Sequence, residues 1–335
     1  GAGSGANNYG VHVTSANSTI KTTGTGTLTV TGNGGNSGGS GSSNYGVYVN
    51  VANGIQTTGG GTISVTGTGG GNSGGSGSSN YGVAVSSGSI TGSGGAMTII
   101  GTGGNSSNDH KDGLYMNSGT ISNTGTGTLN ITGIGAGNTD SGSDYGVYVS
   151  NASVISTVNG DLTVTGTGGG AGSGTNNYGV YVTDSSSTLK TTGTGGLSVP
   201  GIRGGGDTTT NFGVKVAIAN GILTTGSGNI TAITDTISLT QAGGINSIHD
   251  LTIRPYTATT TIGVGAGTGI LSLTDTYLGY LAWSTGYTLT IGGTSAGDIS
   301  INSASTILNK NVTFLTGGSI TLATTALAHA GASAA

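Results

Sequence analysis

The sequence predicts an all-β chain wound as a parallel β-helix (β-solenoid), on three observations. A short word repeats: NYGV at Asn8, Asn44, Asn80 and Asn177, with DYGV at Asp144, NFGV at Asn211 and KDGL at Lys111. Its glycines (Gly10, Gly46, Gly82, Gly113, Gly146, Gly179, Gly213) are separated by 36, 36, 31, 33, 33 and 34 residues. A period of that length marks a stacked repeat, not a domain around one pocket. Within each period, apolar and polar residues alternate with period two, as in strands with one buried face. Nearly all the length variation falls in one Gly/Ser-rich loop, long at 32–43 and short at 201–210, so the other corners are fixed by stacking.

The second repeat shows the three strands of a coil: NYGVYV (Asn44 to Val49), GIQTT (Gly54 to Thr58) and GTISVTG (Gly61 to Gly67). The third segment carries the inward pairs Leu28/Val30, Ile63/Val65, Met97/Ile99, Leu129/Ile131, Leu162/Val164, Leu197/Val199 and Ile230/Ala232. The middle segment contributes one inward residue per coil: Ile20, Ile55, Ile90, Ile121, Ile155, Leu189 and Leu223. Each buried Val, Ile or Leu stabilises by roughly 1.5–3 kcal/mol, and only once its neighbours are stacked. No repeat shows helical spacing or a helix cap. A sandwich would not repeat in register at every turn, and a propeller blade would need a fourth strand.

About seven coils of 31–36 residues occupy residues 1–232. Residues 233–323 continue with strand-like words roughly ten residues apart, enough for three or four less regular coils. An aromatic insertion near 277–287 (TDTYLGYLAWSTGY) reads as a larger local core or a hydrophobic flap. Residues 324–335 read as a small-residue tail or the cut edge of a longer chain, and the opening GAGSGANNYG reads as a processed or internal start.

Composition excludes several classes. Glycine supplies 74 of 335 residues and charged residues only 5%. With two prolines and no glycine triplet, collagen is excluded. There is no cysteine, so disulfides play no part. A net charge of -4 with 7 Lys and Arg does not suit nucleic acid, which needs clustered cations. No apolar run approaches the roughly 20 residues of a membrane helix.

The coils GTGTLTVTG and GGSITL, and above all LTIRPYTATTTIGVGAGTGILSLTDTYLGYL (Leu251 to Leu281), resemble the β-strand repeats of giant bacterial exoproteins of the filamentous-haemagglutinin-like adhesin type. The resemblance implies a secreted or surface-attached right-handed β-helix serving as adhesin, stalk or fibre, extracellular or at the bacterial cell surface.

In a solenoid, equivalent positions form columns, and columns are where function is sought. One column reads Tyr9, Tyr45, Tyr81, Asp112, Tyr145, Tyr178, Phe212. Sharing parity with Val47 and Val49, it is expected on the inner side or at a corner as a structural ladder of rings. The column of Asn8, Asn44, Asn80, Lys111, Asp144, Asn177 and Asn211 is expected to form amide ladders along the axis. Its two exceptions, Lys111 and Asp144, should form an exposed ion pair worth under about 1 kcal/mol. A third column, His12, Tyr48, Ala84, Tyr115, Tyr148, Tyr181, Lys215, should face outward. Tyr48, Tyr115, Tyr148 and Tyr181 are thus the candidate binding residues, able to stack on sugar rings or against a second rod.

Enzymatic chemistry has one candidate, the cluster Asp109, His110, Lys111, Asp112 with Asp140 and Asp144 one coil on. It lacks an Arg and a second set of acids facing it, so no enzyme is expected. Asp109, Asp112, Asp140 and Asp144 could instead gather calcium, although no coil keeps the GGxGxD pattern. The outward hydroxyls of the third segment, from Thr29 to Thr231, could order water as ice-binding arrays do. The sequence therefore favours a structural, self-associating extracellular protein. Its alternatives are a monomeric adhesin binding surface glycans, a glycan-degrading enzyme and a passive spacer.

Overall fold

The computed structural model describes residues 5–35, 40–71, 74–137, 142–170, 173–302 and 310–323. Among them the chain is an all-β parallel solenoid with eight complete three-strand turns. The first sheet has eight strands, from Val11–Val13 to Ile237–Leu239. The second has nine, from Ile20–Thr22 to Leu281–Trp283, and the third ten, from Leu28–Asn33 to Asn311–Leu315. Every pairing is parallel and in register, so that Val47 pairs with Val11 and Val83, and Ile63 with Leu28 and Met97.

This register stacks the alternating residues into continuous apolar columns. Val47, Val49, Ile55, Val65, Met97, Ile99, Leu162 and Val164 are all fully buried in one core. The middle-strand residue of the seventh turn is Ile222, not Leu223: Ile222 pairs with Leu189 and is buried, whereas Leu223 lies against Lys190 and is half-buried.

The eighth turn is shorter. Ile237 follows its partner Val214 by 23 residues because the long corner loop is absent. Beyond it the three-sheet plan changes, and a fourth sheet pairs Leu271–Leu273, Ile262–Gly265, Ile299–Asn302 and Ile320–Leu322. The aromatic insertion contains a one-turn helix, Asp275–Gly279, started by Thr274, whose side chain accepts from the Tyr277 amide. Leu278, Leu281 and Trp283 from this stretch are buried, which makes it an enlarged core. Lys310 lies 4.2 Å from the centre of the Trp283 ring. The tail 324–335 lies outside the described residues. No helix among the described residues is long and apolar enough to cross a membrane.

Two features of the repeat fix where the first strand begins. The residue before each Asn-column position is left-handed in six turns (Asn7, Ser43, Ser79, His110, Ser143, Asn176), with φ between 55° and 63°. Polar residues with short side chains tolerate that conformation best. Two residues after the Asn column lies a glycine seam. A Cβ on Gly46 would stand 2.2 Å from the Thr68 amide nitrogen, and one on Gly67 would stand 2.1 Å from the Gly82 carbonyl oxygen. Neither glycine has a left-handed φ, so close approach of backbones is what demands glycine there.

Candidate functional site

The corner and seam decide where the recurring word of each repeat points its side chains. The Asn column is buried: Asn44, Asn80, Asn177 and Asn211 have no solvent exposure. Each Oδ1 accepts the backbone N–H of the equivalent residue one turn earlier. The Asn8 amide donates to Asn44 at 2.9 Å, Asn44 to Asn80 at 2.9 Å, Asp144 to Asn177 at 3.0 Å and Asn177 to Asn211 at 2.9 Å. Aspartate can serve this role, and Asp144 accepts from the Lys111 amide at 2.9 Å. Lysine cannot accept. At that break the Asn80 side chain donates to Ser106 Oγ at 3.3 Å, and Ser106 is itself fully buried.

The ion pair expected between Lys111 and Asp144 is present, with Nζ 3.3 Å from Oδ1, but it is not exposed. Both side chains are at 0% exposure, because the whole Asn column faces inward. Desolvation pulls the Lys111 ammonium below its usual pKa, partly opposed by Asp144. Asp112, the next residue, is also fully buried. Its Oδ1 accepts from the Tyr145 amide at 2.9 Å and its Oδ2 has no partner. Burial, reinforced by the Asp144 charge, raises its pKa well above the carboxylate range.

The ring column beginning at Tyr9 stands outside the core, at the corner, and touches the outward column. Parity with Val47 does not carry back through the seam, because the strand starts at Val47 and Tyr45 precedes it. Tyr45 lies 5.1 Å from Tyr48, Tyr145 4.8 Å from Tyr148 and Tyr178 5.1 Å from Tyr181. Along the axis Tyr45 stacks on Tyr81 at 5.0 Å, Tyr145 on Tyr178 at 5.4 Å and Tyr148 on Tyr181 at 5.4 Å. The two columns are therefore one aromatic band, two rings wide. Tyr9 opens it with His12, and Phe212, 6.0 Å from Tyr178, ends its corner rail. Lys215 closes the outer rail, 4.4 Å from the Tyr178 centroid and donating to its hydroxyl at 2.8 Å.

Each rail lacks one ring in the middle of the band, Ala84 in the third turn and Asp112 in the fourth. The gaps are diagonal neighbours, and the remaining rings, Tyr81 and Tyr115, stack face to face at 4.2 Å and 6°. Continuity of the band thus survives the exchange. In its corner rail Tyr81, Tyr145 and Tyr178 are covered, at 6%, 7% and 2% exposure, while Tyr9, Tyr45 and Phe212 are half-buried. Tyr48, Tyr115, Tyr148 and Tyr181 are half-buried and present the open surface. Burial raises the Tyr81, Tyr115 and Tyr145 hydroxyls, and pushes Tyr148 up to about 12 against a hydrogen bond with Ser150, so these four rings are uncharged at neutral pH.

The described acids of the proposed calcium set divide between surface and interior. Asp109 is exposed and accepts from the Gly142 amide at 2.9 Å, Asp112 and Asp144 are buried, and Asp140 lies outside the described residues. Among the described residues, no three His, Cys, Asp or Glu side chains group as metal ligands would. The outward hydroxyls of the third sheet do align, Thr29 with Ser64 and Thr163 with Ser198. The neighbouring column is interrupted by Ile100, Pro200 and Ile233, which breaks any flat array. In comparisons with known proteins, no family model, curated protein or solved structure matches the chain.

Proposed function

We propose that this chain is an extracellular structural protein of a bacterial cell surface, forming part of a fibre, sheath or adhesive stalk by stacking of β-coils and associating with its own kind. One observation carries this reading: the polar side chains that could perform chemistry are used to bind one turn to the next. Asp112, Asp144 and the Asn column accept backbone amides of adjacent turns from buried positions. Such columns stabilise only a stack, since a single coil has no neighbour to satisfy them. The resemblance of Leu251 to Leu281 to filamentous-haemagglutinin-like repeats supports the surface location.

The aromatic band favours a second reading, a monomeric adhesin that binds surface glycans. Stacked phenols with one open face suit sugar rings, whose apolar C–H faces pack on aromatics. Sedimentation of the wild type and of a Tyr48→Ser, Tyr148→Ser, Tyr181→Ser triple variant separates the two. The structural reading expects association that grows with concentration in the wild type and persists in the variant. Loss of glycan adhesion in the variant, with the wild type remaining a monomer, would favour the adhesin.

A further inference from the structure

The two breaks in the Asn column face each other across adjacent turns. Lys111 Nζ is 3.3 Å from Asp144 Oδ1, with both side chains closed to solvent. A buried ion pair is stable only when its remaining protons and lone pairs are satisfied. On the lysine side this one is not: beyond that contact the Lys111 Nζ makes no hydrogen bond, and neither does Oδ2 of the next residue, Asp112. Asp112 is close enough to be influenced by both members of the pair, and it in turn lies near the rings of Tyr81, Tyr115 and Tyr145.

We propose that Lys111 and Asp144 condense into a side-chain amide, an isopeptide cross-link between the fourth and fifth turns. Low polarity favours the uncharged amine and the uncharged carboxylic acid over the ion pair. The Nζ lone pair attacks Cγ of Asp144, forming the N–C bond and a tetrahedral centre. Nitrogen then gives up a proton, and Oδ2 leaves with a proton as water. Asp112, itself held protonated, is the relay: it first delivers its proton to the departing Oδ2 and then takes the proton that nitrogen gives up, so it is unchanged at the end. The products are one amide and one water, with no change of oxidation state.

The product suits the site better than the reactants do. Asp144 becomes a substituted asparagine whose Oδ1 still accepts the Lys111 backbone amide, now at 2.9 Å. Two buried charges are replaced by the functional group that the rest of the column carries. A chain without cysteine also gains a covalent tie between turns.

The test is the intact mass of the purified chain under denaturing conditions, with digestion by a lysine-specific protease. The expected mass is one water below that of the sequence, with no cleavage after Lys111 and a branched peptide joining Lys111 to Asp144. Lys111→Met restores the mass expected from its own sequence. Asp112→Asn does the same while keeping the β-rich circular dichroism of the fold, which separates proton relay from structural support. A full wild-type mass with cleavage after Lys111 would overturn the proposal. So would a mass loss in which Lys111 remains cleavable, because that marks a succinimide.

Discussion

Lys111→Asn lowers the stability of the solenoid by about 3–5 kcal/mol, and adding Asp144→Asn to it recovers most of that loss. The single change removes the partner of Asp144 and leaves a carboxylate at 0% exposure inside the stack. No lysine counter-charge then offsets the desolvation of that group. The double change restores Asn at both positions, so that the Asn80 amide meets an Oδ1 in the fourth turn as Asn44 meets Asn80 at 2.9 Å in the third. The rescue is expected whether the native pair is ionic or covalent, since either form satisfies Asp144. Urea unfolding of the three proteins measures it. Equal stability of the single and double variants would show that the column does not couple the turns.

Asp112→Asn produces the second large effect, and it depends on pH. The folded carboxyl is held well above its ordinary pKa, chiefly by burial and secondly by Asp144, with Lys111 and the Tyr145 amide opposing. Unfolded, it titrates near 3.9. Above about pH 4 the unfolded chain releases this proton while the folded chain keeps it, so stability falls as pH rises, by about 1.4 kcal/mol per unit until the folded group ionises. The asparagine variant keeps the acceptor for the Tyr145 amide and has no such slope. It should match the wild type near pH 4 and exceed it at pH 7, as read by thermal melts at the two values. Parallel curves for the two proteins would place Asp112 in contact with solvent.

The period and the alternation made the architecture legible, because residues such as Val47, Val49, Ile63 and Val65 must face one core if stacked in register. Three details were not legible, each for a physical reason. Gly-Ile-Leu-Thr-Thr at 221–225 offers two adjacent apolar residues, and only pairing with Leu189 selects Ile222. Tyr45 shares parity with Val47 along the text, but the close backbone approach at Gly46 intervenes. Strand parity therefore starts at Val47, and the ring falls beside Tyr48. Lys111 and Asp144 were expected in solvent because charged residues usually are. Their column is buried by the same corner, a property carried by the asparagines above and below them and by nothing in the charged residues themselves.

The stacking account of function is tested most directly by negative-stain electron microscopy of the isolated chain, dilute and without added ligand. It predicts straight, narrow particles that join into longer fibres as concentration rises, with an axial repeat set by the parallel strand spacing of about 4.8 Å. Uniform short rods that stay separate at every concentration would contradict self-assembly and leave the open face of the tyrosine band as the working surface.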